Sequence, residues 1–335
     1  MPTIVCCLSH RIAFCTPPPF VYMFNNKYSR WTASVEKTVS DRYWRIMSFI
    51  REVQTVISDC RADTTGAVTS GLLLWQMAGI PVLLNNAGSW TDINGSTMKK
   101  LNDLQLTMIR YLLKMPRSTP TPLLNWDVNV LTMENEIIKK KLKLAHHIAT
   151  LDENSLANEV FMTQKQFKFP GLVQEVSELL RELNLPDITD RNIALGWSKA
   201  QWKKLINKMI HEKCGNELKE SMKKYSKLKD GPMMEENFEL RDYIKSMKLQ
   251  DARVKFALRS KMYDVSFNYR NDPKNAAECW RCDSCMSGSI QTQSHILYCE
   301  AFSDLRKDKD LNSDIDLVSY MKNVLIIREK LDLIK

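Results

Sequence analysis

The chain has 335 residues, enough for about two or three domains of ordinary size, and its 44% apolar content excludes global disorder. Only 10 glycines and 12 prolines are present, and Leu, Lys, Met and Glu recur throughout, a balance that favours helices over sheets. The net charge of +9 raises the odds of an anionic partner, and nine cysteines are too few and too unevenly spaced for a secreted disulfide framework. A reducing intracellular compartment, nuclear or cytoplasmic, is expected. The apolar run from Leu72 to Leu84 contains Gln76 and Pro81 and falls short of the ~20 residues of a membrane span. The first 28 residues are apolar but lack a basic start and contain Arg11, which makes a poor signal peptide, and their composition differs from all that follows.

Helical periodicity begins with Trp44, Ile46, Ile50, Val53 and Ile57, which predict a helix over 35–59. The next apolar run carries Pro81, which should break or kink it, and Asn94-Gly95-Ser96 marks a turn. Leu101, Leu104, Met108 and Leu112 form the stripe of a helix ending before Pro116. Pro116, Pro120 and Pro122 predict an extended, stiff linker over 115–122. Further helices are marked by Met133, Ile137, Leu144, Ile148 and Leu151, and by Leu172, Val176, Leu179 and Leu183. The clearest start is Ser198, where Ser198 and Gln201 fit a capping box and Trp197 and Trp202 occupy the staple positions. That helix should run to about Cys214, with Gly215 as its C-terminal cap. Two more are expected near 236–249 and 251–262. The expected fold class is mainly α, a helical region followed by a small C-terminal metal-binding module.

Much of the positive charge is concentrated. Between Lys199 and Met262, 17 Lys and Arg stand against 9 Asp and Glu, a surplus of 8. Such a stretch suits RNA or DNA as partner, although a solvated helical surface explains the charge about as well. The side chains placed for phosphate or base contact are Lys199, Lys203, Lys204, Lys208, Lys223, Lys224, Arg253, Arg259, Trp280 and Arg281. Aromatic residues near the basic helices, Trp202, Tyr225, Tyr243 and Trp280, could stack on bases, and core packing is the stronger reading for Trp202. His146 and His147 are read as core or surface histidines, and His211 as a surface one. No glycine-rich phosphate loop or nucleophile elbow is visible, and neither a membrane nor a small-molecule substrate is implied.

The segment ECWRCDSCMSGSIQTQSHILYCEAF carries the strongest chemical signal. Cys282 and Cys285 form a C-x2-C pair whose thiolates can face one ion. His295 and Cys299 follow at H-x3-C spacing, about one helical turn apart, and Ser287-Gly288-Ser289 supplies the turn between the pairs. Three thiolates and one imidazole close a tetrahedron around one structural Zn²⁺ with no open position. Cys279 and Cys282 are also a legal pair, and the pair nearer the turn is preferred.

Several stretches carry a family resemblance: DCRADTTG, LLLWQMAGIPVLLNNAGSW, LQLTMIRYLLKMPRSTPTPLLNWD, KLKLAHHIATLDENSLANEVF, LKDGPM and CDSCMSGSIQTQSHILYCEAFSDLRKDKD. In this order they resemble the C-terminal part of non-LTR (LINE-type) retrotransposon reverse transcriptases, downstream of the catalytic palm, over roughly nine-tenths of the chain. The resemblance implies a divergent segment over 1–28, a thumb-like helical region over 29–115, a helical linker region with basic helices over 116–262, and a zinc knuckle with a C-terminal helix over 263–335. It places the knuckle's ligands on Cys282, Cys285, His295 and Cys299. The family's polymerase chemistry uses adjacent aspartates to hold two Mg²⁺ about 3.5–4 Å apart, and this sequence has no Asp-Asp pair. The expectation is a truncated, catalytically incomplete remnant, a nucleic-acid-binding fragment to which a palm could be supplied by a separate polypeptide. The competing expectation is a helical interaction module whose zinc serves only folding. Primer extension by the purified protein with Mg²⁺ should not exceed that of a heat-killed control; extension above it would refute the absence of polymerase activity.

Overall fold

The computed structural model describes residues 29–59, 64–226, 228, 236–265, 268, 282, 284–285 and 287–332. Among these the chain is helical, with no strand beyond an isolated bridge between Thr65 and Lys248. No helix among the described residues is long and apolar enough to cross a membrane. Trp280, Arg281 and Cys279, the first 28 residues, and most of the polar stretch 263–278 lie outside them.

The first helix, α1 (Ser29–Asp59), buries Val39, Ile46, Ile50, Val53 and Ile57 on one face. The next run is resolved without a break. Helix α2 (Ala67–Leu74) passes into a π-helical turn (Trp75–Gly79) and then α3 (Ile80–Leu83). The wide turn bonds the Ile80 amide to the Trp75 carbonyl and adjusts the hydrogen-bond register just before Pro81, which cannot donate. Asn94 is the N-cap of α4 (Gly95–Leu113), its Oδ1 accepting from the Thr97 amide at 2.7 Å. Lys114 closes α4 in the left-handed region, at φ 54°.

The expected stiff linker is instead a compact turn. The Thr119 amide bonds back to the Pro116 carbonyl at 3.1 Å, and α5 (Thr121–Asp127) starts at once with Pro122 in its first turn, where a missing amide proton costs nothing. Helices α6 (Met133–Ala149), α7 (Leu156–Phe167), α8 (Leu172–Glu182) and α9 (Arg191–Leu195) follow. Helix α10 begins at Ser198 with the full capping box, and the Trp197 and Trp202 rings meet edge to face at 6.2 Å. It does not stop at Gly215 but runs Lys199–Lys223. Gly215 is there for approach rather than for capping: a Cβ at this position would lie 3.0 Å from the Phe238 Cβ. The expected helix over 236–249 shrinks to α11 (Asp242–Ser246), and the next is α12 (Leu249–Arg259). The C-terminal part comprises α13 (Gln293–Tyr298), α14 (Ser303–Arg306) and α15 (Asp314–Asp332).

Three hydrophobic clusters result. The first joins α1–α5 and the start of α6 to the second half of α10, Phe238, Tyr243 and α12, so it draws on both sides of Pro116. The second lies among α6, α7, α8, α9 and the first half of α10. The third packs Leu258, Tyr263 and Val265 against Cys282, Ile296, Cys299, Phe302 and the face of α15 that carries Tyr320, Met321 and Val324. Helix α12 thus contributes to two cores, Phe256 to the first and Leu258 to the third.

A buried ion-pair network closes the first core. Asp127, at the end of α5, is 0% exposed. Arg259 donates to both of its oxygens, Nε to Oδ2 at 2.8 Å and Nη2 to Oδ1 at 3.0 Å, and Tyr243 Oη donates to Oδ2 at 2.8 Å. The same guanidinium holds Glu236 at 3.1 and 2.8 Å, and Arg241 lies 3.3 Å from Glu236 and 3.6 Å from Asp127. Burial alone would raise the Glu236 carboxyl, but Arg259 and then Arg241 hold it below the usual carboxylate range. Two carboxylates and two guanidiniums balance.

Removing one member of a buried pair leaves the other charge uncompensated. Asp127→Ala should therefore destabilise the chain by about 3–5 kcal/mol in urea unfolding at neutral pH. Because the Glu236 pKa is lowered by folding, its contribution is present at neutral pH and fades as pH falls through its folded value. Glu236→Gln should flatten the loss of stability below about pH 4; an acid limb identical to that of the unsubstituted chain would refute the coupling.

Candidate metal centre and basic surface

Cys282, Cys285, His295 and Cys299 converge. One donor atom from each lies within 4.8 Å of the others. The Sγ atoms of Cys282 and Cys299 are 3.8 Å apart, and Cys285 Sγ is 3.5 Å from His295 Nε2. Local sequence explains the convergence. Thr292 caps α13, its Oγ1 accepting the His295 amide at 3.0 Å, which sets the helix phase that turns the imidazole toward Cys285. Cys299 lies just beyond the helix end, in extended backbone (φ −59°, ψ 128°), rather than one helical turn on. Gly288, at φ 74°, reverses the chain so that the Cys282 amide can bond the Ser289 carbonyl at 2.8 Å.

The donors differ in environment. Cys282 and Cys299 are 2% and 1% exposed, whereas Cys285 and His295 are half-buried. The Ser287 hydroxyl, 3.0 Å from the Cys285 sulfur, is the main cause pulling that thiol down to about 6. Burial pushes Cys299 up to about 12. Outer contacts hold the frame: Arg306 donates to the Cys299 carbonyl at 2.7 Å, and Tyr320 Oη donates to the Ile296 carbonyl at 2.7 Å. Neither was legible from ligand spacing. The fourth described cysteine, Cys214, is buried on α10 away from the cluster, and burial raises its thiol to about 11.

The residues expected to contact nucleic acid fall into two groups. Lys199, Lys203, Lys204 and Lys208 are exposed along the first half of α10, and Lys223 and Lys224 at its C-terminal end. Lys208 sits 3.9 Å from Glu212 and Lys223 pairs with Glu220, while among the described residues Lys199, Lys203, Lys204 and Lys224 are in no ion pair. Across from them α6 presents Lys140 and Lys143, half-buried. Burial first, then the charges of Lys139 and Lys203, lowers the Lys143 pKa. Both arginines have partners within the fold. Arg259 belongs to the Asp127 network, and Arg253 Nε donates to the Leu112 carbonyl at 3.1 Å, in surroundings whose burial lowers its pKa. The Arg259 guanidinium, committed to two carboxylates, is not free for a phosphate.

Of the aromatic residues, Trp202 is buried with its Nε1 donating to the Leu142 carbonyl at 3.1 Å, and Tyr243 is buried on Asp127. Tyr225 is exposed. His146 is a core histidine, its Nε2 3.0 Å from the Trp197 carbonyl, whereas His147 is exposed. His211 is half-buried rather than superficial, bonded to Asn129 at 2.8 Å and stacked on Phe238 at 4.6 Å.

In comparison with known proteins, no family model, curated protein or solved structure matches the chain.

Cys285→Ala and His295→Ala should each abolish binding of one metal ion per chain, measured by a chromogenic chelator, and loosen the third core while circular dichroism keeps the remaining helices. Cys214→Ala and Cys279→Ala should retain the metal. Release by Cys279→Ala with retention by Cys285→Ala would show that the ligand set is shifted by one C-x2-C step. Since the ion must displace the Cys299 proton, apparent affinity should fall as pH falls from neutrality; affinity that rises on acidification would contradict these assignments.

Proposed function

We propose that this chain is a nucleic-acid-binding protein without catalysis, organised as helical basic units followed by a structural zinc module, in line with its resemblance to the post-palm region of LINE-type reverse transcriptases. One observation carries the reading: Lys199 and Lys203 of α10 stand around one pocket with Lys143 of α6, Lys204 is exposed next to Lys203, and none of the four is in an ion pair among the described residues. Like charges crowded this way are relieved by an anion, and a row of them tracks a polyanion. The absence of an Asp-Asp pair supports the non-catalytic part.

Zinc is the ion the donor set favours. Bonds of about 2.3 Å to sulfur and about 2.0–2.1 Å to nitrogen give tetrahedral edges of about 3.8 Å between sulfurs and about 3.5 Å from sulfur to nitrogen. Two of the donor pairs match, Cys282–Cys299 at 3.8 Å and Cys285–His295 at 3.5 Å, and all four donors lie within 4.8 Å of one another. Cys282, Cys285, His295 and Cys299 would hold the ion with no coordination position left for water, and its contribution is folding energy.

A second reading has its own observation. Leu156, Val160 and Phe167 form an exposed stripe on α7, with Phe169 stacked on Phe167 at 5.8 Å. An apolar stripe of this kind suits a protein contact and favours a helical interaction module.

The two readings separate in one titration. RNA or DNA binding should weaken with salt at a log–log slope of about −0.7 to −0.9 per phosphate contact. The combined Lys203→Glu, Lys204→Glu and Lys208→Glu variant should bind more weakly and with a flatter slope. Binding unchanged by the variant, or absent in the unsubstituted chain at low salt, would leave the interaction-module reading.

A further inference from the structure

A pocket of about 270 Å³ opens between α6, α10 and the segment joining α9 to α10. Its apolar wall is Leu195 and Trp197; its cationic rim is Lys143, Lys199 and Lys203, with His147 beside them. No carboxylate lines it. The volume is just under the ~300 Å³ at which sites for small organic ligands begin. It has room for one flat ring with its anionic group, and not for a length of duplex.

The wall is held from behind. The Trp197 carbonyl is 3.0 Å from His146 Nε2, the His146 ring stacks on Trp202 at 5.5 Å, and Trp202 in turn donates to the Leu142 carbonyl. The Trp197 ring also meets Trp202 edge to face. Each contact on that list ties the pocket to the second core, so the indole is presented in place rather than ordered on binding. The rim is charged and unbalanced: Lys143, Lys199 and Lys203 are in no ion pair among the described residues. The positive end of the 25-residue helix α10 opens beside it. An apolar shelf under three ammonium groups is complementary to a ring carrying a phosphate.

We propose that this pocket receives one unpaired nucleotide of a single strand, its base against Trp197 and Leu195 and its phosphate between Lys143, Lys199 and Lys203. This rests on the nucleic-acid reading above and sharpens it, because a base can enter only when it is free of a partner strand. Base stacking on an aromatic side chain is sequence-tolerant, so the pocket distinguishes single from double strands rather than one sequence from another.

The test compares a short oligouridylate with an RNA duplex of the same length, on the full chain. The single strand should bind about tenfold tighter than the duplex. Trp197→Leu, which keeps an apolar side chain at the staple position, should remove that preference and leave duplex binding as it was. Lys143→Gln with Lys203→Gln should weaken the single strand by about tenfold. Ultraviolet cross-linking of the oligouridylate to the unsubstituted chain, which needs no variant to fold, should mark the peptide containing Trp197. A normal duplex affinity with no single-strand preference, or cross-links confined to other helices, would overturn the pocket and leave the nucleic-acid reading standing. Binding of neither probe at low salt would overturn both.

Discussion

A carboxylate with no exposure to water is the constraint on which the rest of this molecule turns. Asp127 ends α5, and an ionised group there is tolerable only if it is fully paired and hydrogen-bonded. Its partners, Arg259, Arg241 and Tyr243, come from a segment more than 100 residues later in the chain. The network thus fixes where α11 and α12 lie against the first core. Since the opposite side of α12 supplies Leu258 to the third core, the same network also sets the base on which the metal module is built. Lys322 with Asp251, at 2.9 Å, and Lys255 with Asp314 extend the attachment from α12 to α15.

Arginine and lysine divide the work of the positive charge. Arg241, Arg253 and Arg259 are turned inward, where a planar fork can meet a carboxylate or a carbonyl with several bonds at once. Lys199, Lys203, Lys204 and Lys208 of α10 are exposed, whereas Lys141 of α6 is buried on Glu175. Net charge counts inward and outward cations alike, and only the outward ones are available to a partner. The surface that remains is smaller and sharper than a surplus of 8 over 199–262 suggests, and it is centred on the first half of α10.

The Cys/His cluster has a different logic. Its ligands come from one short stretch, so the fold needs little long-range information to gather them. What the third core adds is orientation. Arg306 on the Cys299 carbonyl and Tyr320 on the Ile296 carbonyl hold the ends of α13, and Thr292 sets the phase of His295. Such outer contacts steady the four donor side chains.

Local signals in the sequence determined local structure. The capping box at Ser198 with its tryptophan staple and the helical stripes of α1, α4, α6 and α8 depend on spacings of three or four residues, and the four converging ligands on one short stretch turned back at Gly288. Where a residue's role depends on a neighbour far along the chain, the same signals misled. Gly215 has the composition of a helix end, but Phe238 needs its missing side chain, so α10 continues. Pro116, Pro120 and Pro122 suggest a rod, but the buried Thr119 and the start of α5 bend them into a turn. Arg259 resembles a phosphate contact until Asp127 is seen beside it. Tertiary structure alone decided these cases, because burial and charge pairing are properties of two segments at once, and only folding brings the second one near.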